Sequence, residues 1–303
     1  MINTDLTGNF KFLNGRPLYA SISGGKDSTA LGLYLLENNI KFTPVFLETG
    51  WEHPSTYEYI KNTLEPLFGS FEILRNEKYF KDDSDWKGGF EQLLEVNKIF
   101  PNKYMKFCTR ELKVKPVMDF FVNVFLKTNK KPISCIGVRA EESFKRSQYE
   151  VLHEQDEASI WKPLLHHTEG DVIDLHHKYN VPPNPLYLKG YSRVGCYPCI
   201  YLRKHEIRHM SYTDPDRFQY IGELERKVNE LHEYHWTTTF FGSKTKKKEF
   251  MTIDEVVQWS LNHQGKTLDD VEEIEEDGCM KWGLCEKPPK QDKHKQINLF
   301  EEK

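Results

Sequence analysis

Ser23-Gly24-Gly25-Lys26-Asp27-Ser28 stands between the apolar run Leu18-Tyr19-Ala20-Ser21-Ile22 and the helix-forming run Thr29-Ala30-Leu31-Gly32-Leu33-Tyr34-Leu35-Leu36. A strand that breaks into a two-glycine turn and then enters a helix leaves backbone N–H groups, and the positive end of the helix dipole, facing whatever fills the turn. Glycine lets the backbone approach that ligand closely. Lys26 adds a mobile point charge, and Ser23 and Ser28 add hydroxyl donors, so the stretch reads as a cradle for a polyphosphate. It is not the GxxxxGK[ST] loop of common nucleotide triphosphatases, because only two residues precede the lysine in the glycine turn. An ordinary βα turn with an Asp-Ser cap explains the glycines but not Ser, Lys, Asp and Ser in register.

Outward from this turn, residues 18–138 alternate short apolar runs with longer amphipathic ones, the pattern of βα units and a mainly parallel sheet. The candidate strands are 18–22, 42–47, 71–74 and 133–138; the candidate helices are 29–37, 55–68, 89–98 and 112–126. The fold class expected is therefore α/β, a mainly parallel, doubly wound sheet. Ligands of such sheets sit beyond the carboxyl ends of the strands, where the opening turn falls. Two other strand ends are polar: Glu48-Thr49-Gly50-Trp51-Glu52-His53-Pro54, and Arg139-Ala140-Glu141-Glu142-Ser143 with Arg146 close behind. Together these ends are expected to form one pocket.

Beyond Trp161 come a helix pattern at 169–179, a proline-rich turn at 180–187 and a long helix pattern at 214–235. Residues 236–303 read as an appended module with a basic loop (Lys244-Thr245-Lys246-Lys247-Lys248), a helix at 253–263, an acidic run at 272–277, two cysteines and a polar tail. The expected division is a nucleotide-binding domain over 1–212 and a small helical, cysteine-containing C-terminal module over 213–303. A formal charge of −4 argues against wrapping nucleic acid electrostatically. No apolar stretch approaches bilayer length and the N-terminus lacks a secretion-signal layout, so a cytoplasmic protein with no membrane partner is expected. In that compartment six cysteines point to metal or redox chemistry before structural disulfides.

The segments Ser23–Ser28, Glu48-Thr49-Gly50 through Pro54, Cys108-Thr109 with Leu112-Lys113, Gly137-Val138-Arg139 with Glu142-Ser143 and Arg146, Asn184-Pro185-Leu186-Tyr187, and Arg193-Val194-Gly195-Cys196 with Cys199 occur in this order. Over about residues 17–210 the chain resembles the PAPS reductase/ATP sulfurylase-like superfamily of PP-loop ATP pyrophosphatases, which includes DndC-type DNA phosphorothioation proteins. The resemblance implies an adenine nucleotide α hydrolase-like fold and a nucleotide held by Ser23, Gly24, Gly25, Lys26, Asp27 and Ser28, with Glu48 and Gly50 nearby. It implies catalytic roles for Lys26, Asp27, Arg139 and Arg146, the two arginines contacting phosphate or an incoming oxyanion. The alternative for Arg139 and Arg146 is an ion pair with Glu141 or Glu142. The chain departs from true PAPS reductases: Lys26 is present, and the reductase string Glu-Cys-Gly-Leu-His is replaced by Gly283-Leu284-Cys285-Glu286. It departs from APS reductases in having Cys108-Thr109 where those carry a Cys-Cys pair. ATP with Mg2+ is therefore the expected cofactor pair, and cleavage to AMP and pyrophosphate the expected chemistry. A sulfonucleotide reductase, and a nucleotide-binding adaptor on DNA, are the alternatives.

Cys196-Tyr197-Pro198-Cys199 is a CxxC turn, which can bring two thiolates onto one metal or cluster. Cys196, Cys199, Cys279 and Cys285 make one four-thiolate set, and Cys108 is an alternative ligand; family resemblance favours a 4Fe-4S cluster, with Zn2+ as the alternative. Cys135 reads as core, and His166-His167 and His176-His177 as surface doublets. The terminal Gln296-Ile297-Asn298-Leu299-Phe300 resembles the peptide by which bacterial proteins dock on the DNA polymerase sliding clamp, which would link the chain to DNA. A sulfur donor protein is a further expected partner.

Overall fold

The computed structural model describes residues 10–232, 237–242, 250–262 and 282. Lys244–Lys248, the acidic run 272–277, Cys279, Cys285 and Gln296–Phe300 lie outside the described residues.

All four expected strands form: β1 (Leu18–Ser21), β2 (Thr43–Leu47), β3 (Glu72–Leu74) and β4 (Ile133–Ile136). Two further strands, β5 (Leu152–Glu154) and β6 (Ser159–Trp161), escape pattern reading because each is three residues long with polar residues among them and close beside it. The sheet order is β3-β2-β1-β4-β6-β5, parallel throughout except where β5 pairs with β6. The chain leaves β1 for β2 on one side, and β4 closes on β1 from the other. The turn after β1 therefore opens at the point where strand order reverses, the natural crevice of such a sheet. The fold is α/β with a mainly parallel sheet.

Helix α1 (Lys26–Glu37) buries Ala30, Leu31, Leu33 and Leu35, none more than 0% exposed, because it lies between the sheet and α8 (Glu169–Lys178). The expected helix 55–68 is α2 (Pro54–Tyr59), a π-helical turn (Ile60–Leu64) and α3 (Glu65–Phe68). The expected helix 112–126 repeats the device: after α4 (Phe90–Asn97) and the single turn α5 (Phe107–Thr109), a π-helical turn (Arg110–Val114) leads into α6 (Lys115–Thr128). Both π turns run into a proline at the next element's second residue, Pro66 and Pro116. A proline lacks the N–H for the preceding turn and its ring pushes that turn's carbonyl away, so the helix widens there.

After β4 come α7 (Phe144–Ser147), β5, β6, α8 and the short α9 (Pro185–Leu188). Helices α10 (Lys204–Thr213), α11 (Pro215–Glu230) and α12 (Ile253–Leu261) pack on one another. Their buried residues Ile207, Met210, Ile221, Leu224, Val228 and Val256 share one apolar cluster with Trp51, Trp86, Phe90 and Phe240. A second cluster, built on β1, α1, Phe68 and Trp161, lies under the sheet.

Candidate active site

Gly25 is the N-cap of α1, in extended conformation, and no side chain caps it. The first-turn N–H groups of α1 thus face the crevice, except that of Lys26, which donates to the Tyr187 hydroxyl at 3.1 Å. Gly24 has φ +77°, a left-handed conformation that favours glycine, and its carbonyl accepts from Asn184 Nδ2 at 3.2 Å. The Ser28 hydroxyl donates to the Gly25 carbonyl at 2.9 Å and accepts from the Ser23 N–H at 3.0 Å, closing the turn on itself. From the β4 side Gly137 presses on the loop: a Cβ there would stand 2.6 Å from the Asp27 carbonyl oxygen.

The loop opens into a crevice of ≈ 850 Å³ lined by Ser23, Gly25, Lys26, Asp27 and Ser28, together with Arg139, Arg146 and Arg193. Lys26 Nζ lies 3.2 Å from Asp27 and 3.4 Å from Glu169. Burial disfavours its charge, but Tyr187, Asp27 and Glu169 outweigh burial and hold the pKa above the ordinary lysine value. Arg139 is 4% exposed and pairs with both Asp27 and Glu141, while Arg146 pairs with Glu142. Both arginines therefore line the crevice and also make the ion pairs that the sequence offered as the alternative.

Glu48 and Gly50 sit in an adjoining corner and do not line this crevice. Glu48 Oε1 accepts from the Gly50 N–H at 2.6 Å and the Tyr57 hydroxyl at 2.7 Å, and Glu52 accepts from Thr49 at 2.8 and 2.7 Å. Burial pushes Glu52 above the usual carboxylate range, against the pull of Lys113.

Four contributors to the loop lie far from it in sequence: His176, Tyr187, Asn184 and Glu169. His176 belongs to a doublet expected at the surface, yet it is 1% exposed, whereas His177 is exposed. Its Nε2 lies 3.0 Å from the Lys26 carbonyl and its Nδ1 3.2 Å from that of Val181, and burial lowers its pKa. A side chain 150 positions from the loop is placed there by the packing of α8 on α1. Tyr187 and Asn184, noticed only as a motif, act directly on the loop backbone. Glu169, at the start of α8, supplies a carboxylate to Lys26.

The CxxC turn is moored rather than open. The Tyr197 N–H donates to the Trp51 carbonyl at 2.6 Å, and Trp51 Nε1 donates to the Pro198 carbonyl at 3.0 Å. The Arg217 guanidinium lies 3.9 Å over the Trp51 ring and donates from Nε to the Tyr197 carbonyl at 2.9 Å. The space beside Cys196 and Cys199 is ≈ 20 Å³, about room for one water. Burial pushes the Cys196 thiol up against the pull of Lys113, and burial also raises Cys108, with Cys199 near enough to add to it. Lys113 is held above its ordinary value first by Cys196. Among the described residues no three His, Cys, Asp or Glu side chains are placed to hold a metal ion. Cys108 lies near Cys199, and Lys113 near Cys196. Cys279 and Cys285 lie outside the described residues. Cys135 is core, 0% exposed.

A family model described as phosphoadenosine phosphosulfate reductase domain matches residues 17–202, from β1 through the CxxC turn. The chain belongs to this family. An uncharacterised 37.8 kDa protein of Escherichia phage 186 is 29% identical over 290 residues, covering 78% of this chain and 84% of the phage protein. The adenosine 5′-phosphosulfate reductase of Geobacillus kaustophilus is 29% identical over 157 residues, covering 51% of this chain and 60% of the reductase. Among solved structures, the phosphoadenylyl-sulfate reductase of Candida auris in its phosphate complex aligns at TM-score 0.45 and 16% identity, covering 62% of this chain and 86% of that one. The family is one of enzymes, and the matched residues include the turn at the head of α1. No helix among the described residues is long and apolar enough to cross a membrane.

Proposed function

We propose that this chain is an ATP-dependent enzyme that cleaves ATP to AMP and pyrophosphate, activating an acceptor oxygen for sulfur transfer. The observation that carries the reading is Lys26: a charged lysine at the head of α1, paired among the described residues with the carboxylates of Asp27 and Glu169, which incoming phosphates can replace. The β- and γ-phosphates would lie on the Ser23–Ser28 backbone, with Lys26 beside them. The acceptor oxygen attacks the α-phosphorus; the new P–O bond forms as the α–β bridging bond breaks, and its electron pair leaves on pyrophosphate. Loop N–H groups, Lys26 and Arg139 offset that charge, so the protein's share is positioning and electrostatics. Asp27 and Glu169 fit a Mg2+ carried in on the phosphates, since that ion uses one or two carboxylates and supplies charge neutralisation. The activated oxygen would leave as AMP when a donor protein's sulfur attacks. DNA as acceptor, and clamp docking through Gln296–Phe300, belong to the same proposal and rest on the sequence alone.

The test is pyrophosphate release from ATP by wild-type protein and by Lys26→Ala, with sulfate, DNA or RNA as acceptor. Acceptor-dependent release, lost in the variant, is the expected result; wild-type protein that binds ATP but never releases pyrophosphate overturns the reading. Similarity to the Geobacillus adenosine 5′-phosphosulfate reductase favours a second reading, sulfonucleotide reduction, which predicts sulfite from adenosine phosphosulfate and a thiol without ATP.

A further inference from the structure

Among the described residues five cations and five carboxylates line the crevice, and they are not evenly matched in space. Lys26 is tied to Asp27 and Glu169, Arg139 to Asp27 and Glu141, and Arg146 to Glu142. Glu206 is spent on the Ser192 hydroxyl and on the Arg203 backbone N–H, at 2.7 Å for the latter. No carboxylate among the described residues pairs with the guanidinium of Arg193 or of Arg203. Among the described residues, the crevice's positive charge that has no carboxylate partner therefore lies on the wall formed by Arg193 and Arg203.

That wall is fixed to the loop. The Tyr187 hydroxyl that accepts from the Lys26 N–H also meets the Val194 backbone, and the Val194 carbonyl packs over Gly25, 3.4 Å from where a Cβ would stand. Arg193 is the next residue back. It lines both the large crevice and the small space beside Cys196 and Cys199, so it stands where the two adjoin. Arg203 begins α10 on the same wall.

We propose that Arg193 and Arg203 form a second anion subsite, which binds a tetrahedral oxyanion of the acceptor, sulfate or a phosphodiester, facing the nucleotide phosphates. The proposal rests on the adenylyl-transfer reading for its meaning, but its binding chemistry can be measured separately. Guanidinium forks suit such oxyanions, and a subsite there puts the acceptor oxygen on the crevice side of the thiols.

The experiment is calorimetric titration of inorganic sulfate into the full chain, with and without a saturating non-hydrolysable ATP analogue, so that sulfate seated on the phosphate loop is excluded. Wild type, Lys26→Ala, Arg193→Ala/Arg203→Ala and Arg193→Lys/Arg203→Lys are compared, each first shown to melt cooperatively. The double alanine variant is expected to weaken sulfate at least about tenfold and to weaken the analogue less, with Lys26→Ala showing the reverse order and the double lysine variant falling between. Equal losses for sulfate and analogue in the double alanine variant, or wild type that binds the analogue but no sulfate, overturn the subsite. Sulfate binding that depends on Arg193 and Arg203, in a protein that does not bind the analogue, supports the subsite and overturns the ATP reading instead. A short single-stranded DNA oligonucleotide added as competitor assigns the source: displacement of sulfate points to a phosphodiester, and no displacement to the free oxyanion, the subsite standing in both cases.

Discussion

The phosphate loop and the CxxC turn are both short, polar interruptions of apolar sequence, and the fold treats them oppositely. The loop is held by Tyr187, Asn184, His176 and Gly137, and it still opens on a crevice of ≈ 850 Å³. The CxxC turn is clamped by Trp51 and Arg217 and leaves ≈ 20 Å³ beside its thiols. Support that leaves a crevice open builds a surface that can exchange one set of charges for another; clamping that leaves no such space builds a joint. The contrast predicts that damage to the loop lowers binding and turnover more than stability, and damage around the turn lowers stability first.

The largest expected effect is on the joint. Trp51 is 3% exposed, packs against Phe90 and Phe240, and donates to Pro198. Trp51→Ala should lose about 3–5 kcal/mol in urea unfolding. A stable variant with free access to Cys196 would break the comparison. Next comes Lys26→Ala, which should lower pyrophosphate release by on the order of 10²–10³-fold while leaving the urea midpoint nearly unchanged. A shifted midpoint with unchanged turnover would make Lys26 a structural residue. Gly137→Ala is the finer test: its Cβ would crowd the Asp27 carbonyl at 2.6 Å, and backbone cannot yield as a side chain tip can. Affinity for an ATP analogue should fall about tenfold, with a stability loss of roughly 1–2 kcal/mol, as for other overpacked sites.

The legibility of the two regions differs for the same reason. Six consecutive residues between a strand and a helix carry the loop's chemistry, so a linear reading finds it, and with it β1 to β4. What supports the loop is distant in sequence: His176 reaches it only because α8 lies on α1, and the period of α8 alone makes its doublet look solvated. The pairing of β5 with β6 sits in three-residue strands with polar residues among them and close beside them, so alternation does not show. At the CxxC turn, two cysteines at ligand spacing are visible in the sequence, but Lys113 against Cys196 is not, because Lys113 is placed there by the π turn ahead of α6.

The smallest expected effect sharpens the comparison at the far side of the joint. Glu225 on α11 accepts from the Phe240 N–H at 2.8 Å and the Ile253 N–H at 3.0 Å, tying the Phe240 segment and the start of α12 into the cluster that holds Trp51. Burial, with smaller pushes from Asp254 and Glu255, lifts its pKa to about 7, against the two N–H donors that lower it. The unfolded chain titrates this group near 4.5, so between that value and about 7 the folded state holds the extra proton. Stability contributed by this group therefore falls as pH rises through that window and is constant below it. Glu225→Gln, which cannot ionise, should flatten the decline of melting temperature between pH 5 and 7.5, an effect of roughly 1–2 kcal/mol. Nucleotide affinity should follow the same course in both proteins, because the loop's supports do not include Glu225. Parallel melting curves in the two proteins would mean that the carboxylate stays ionised in the fold. A pH-dependent difference in nucleotide affinity would mean that the joint and the loop are mechanically one unit.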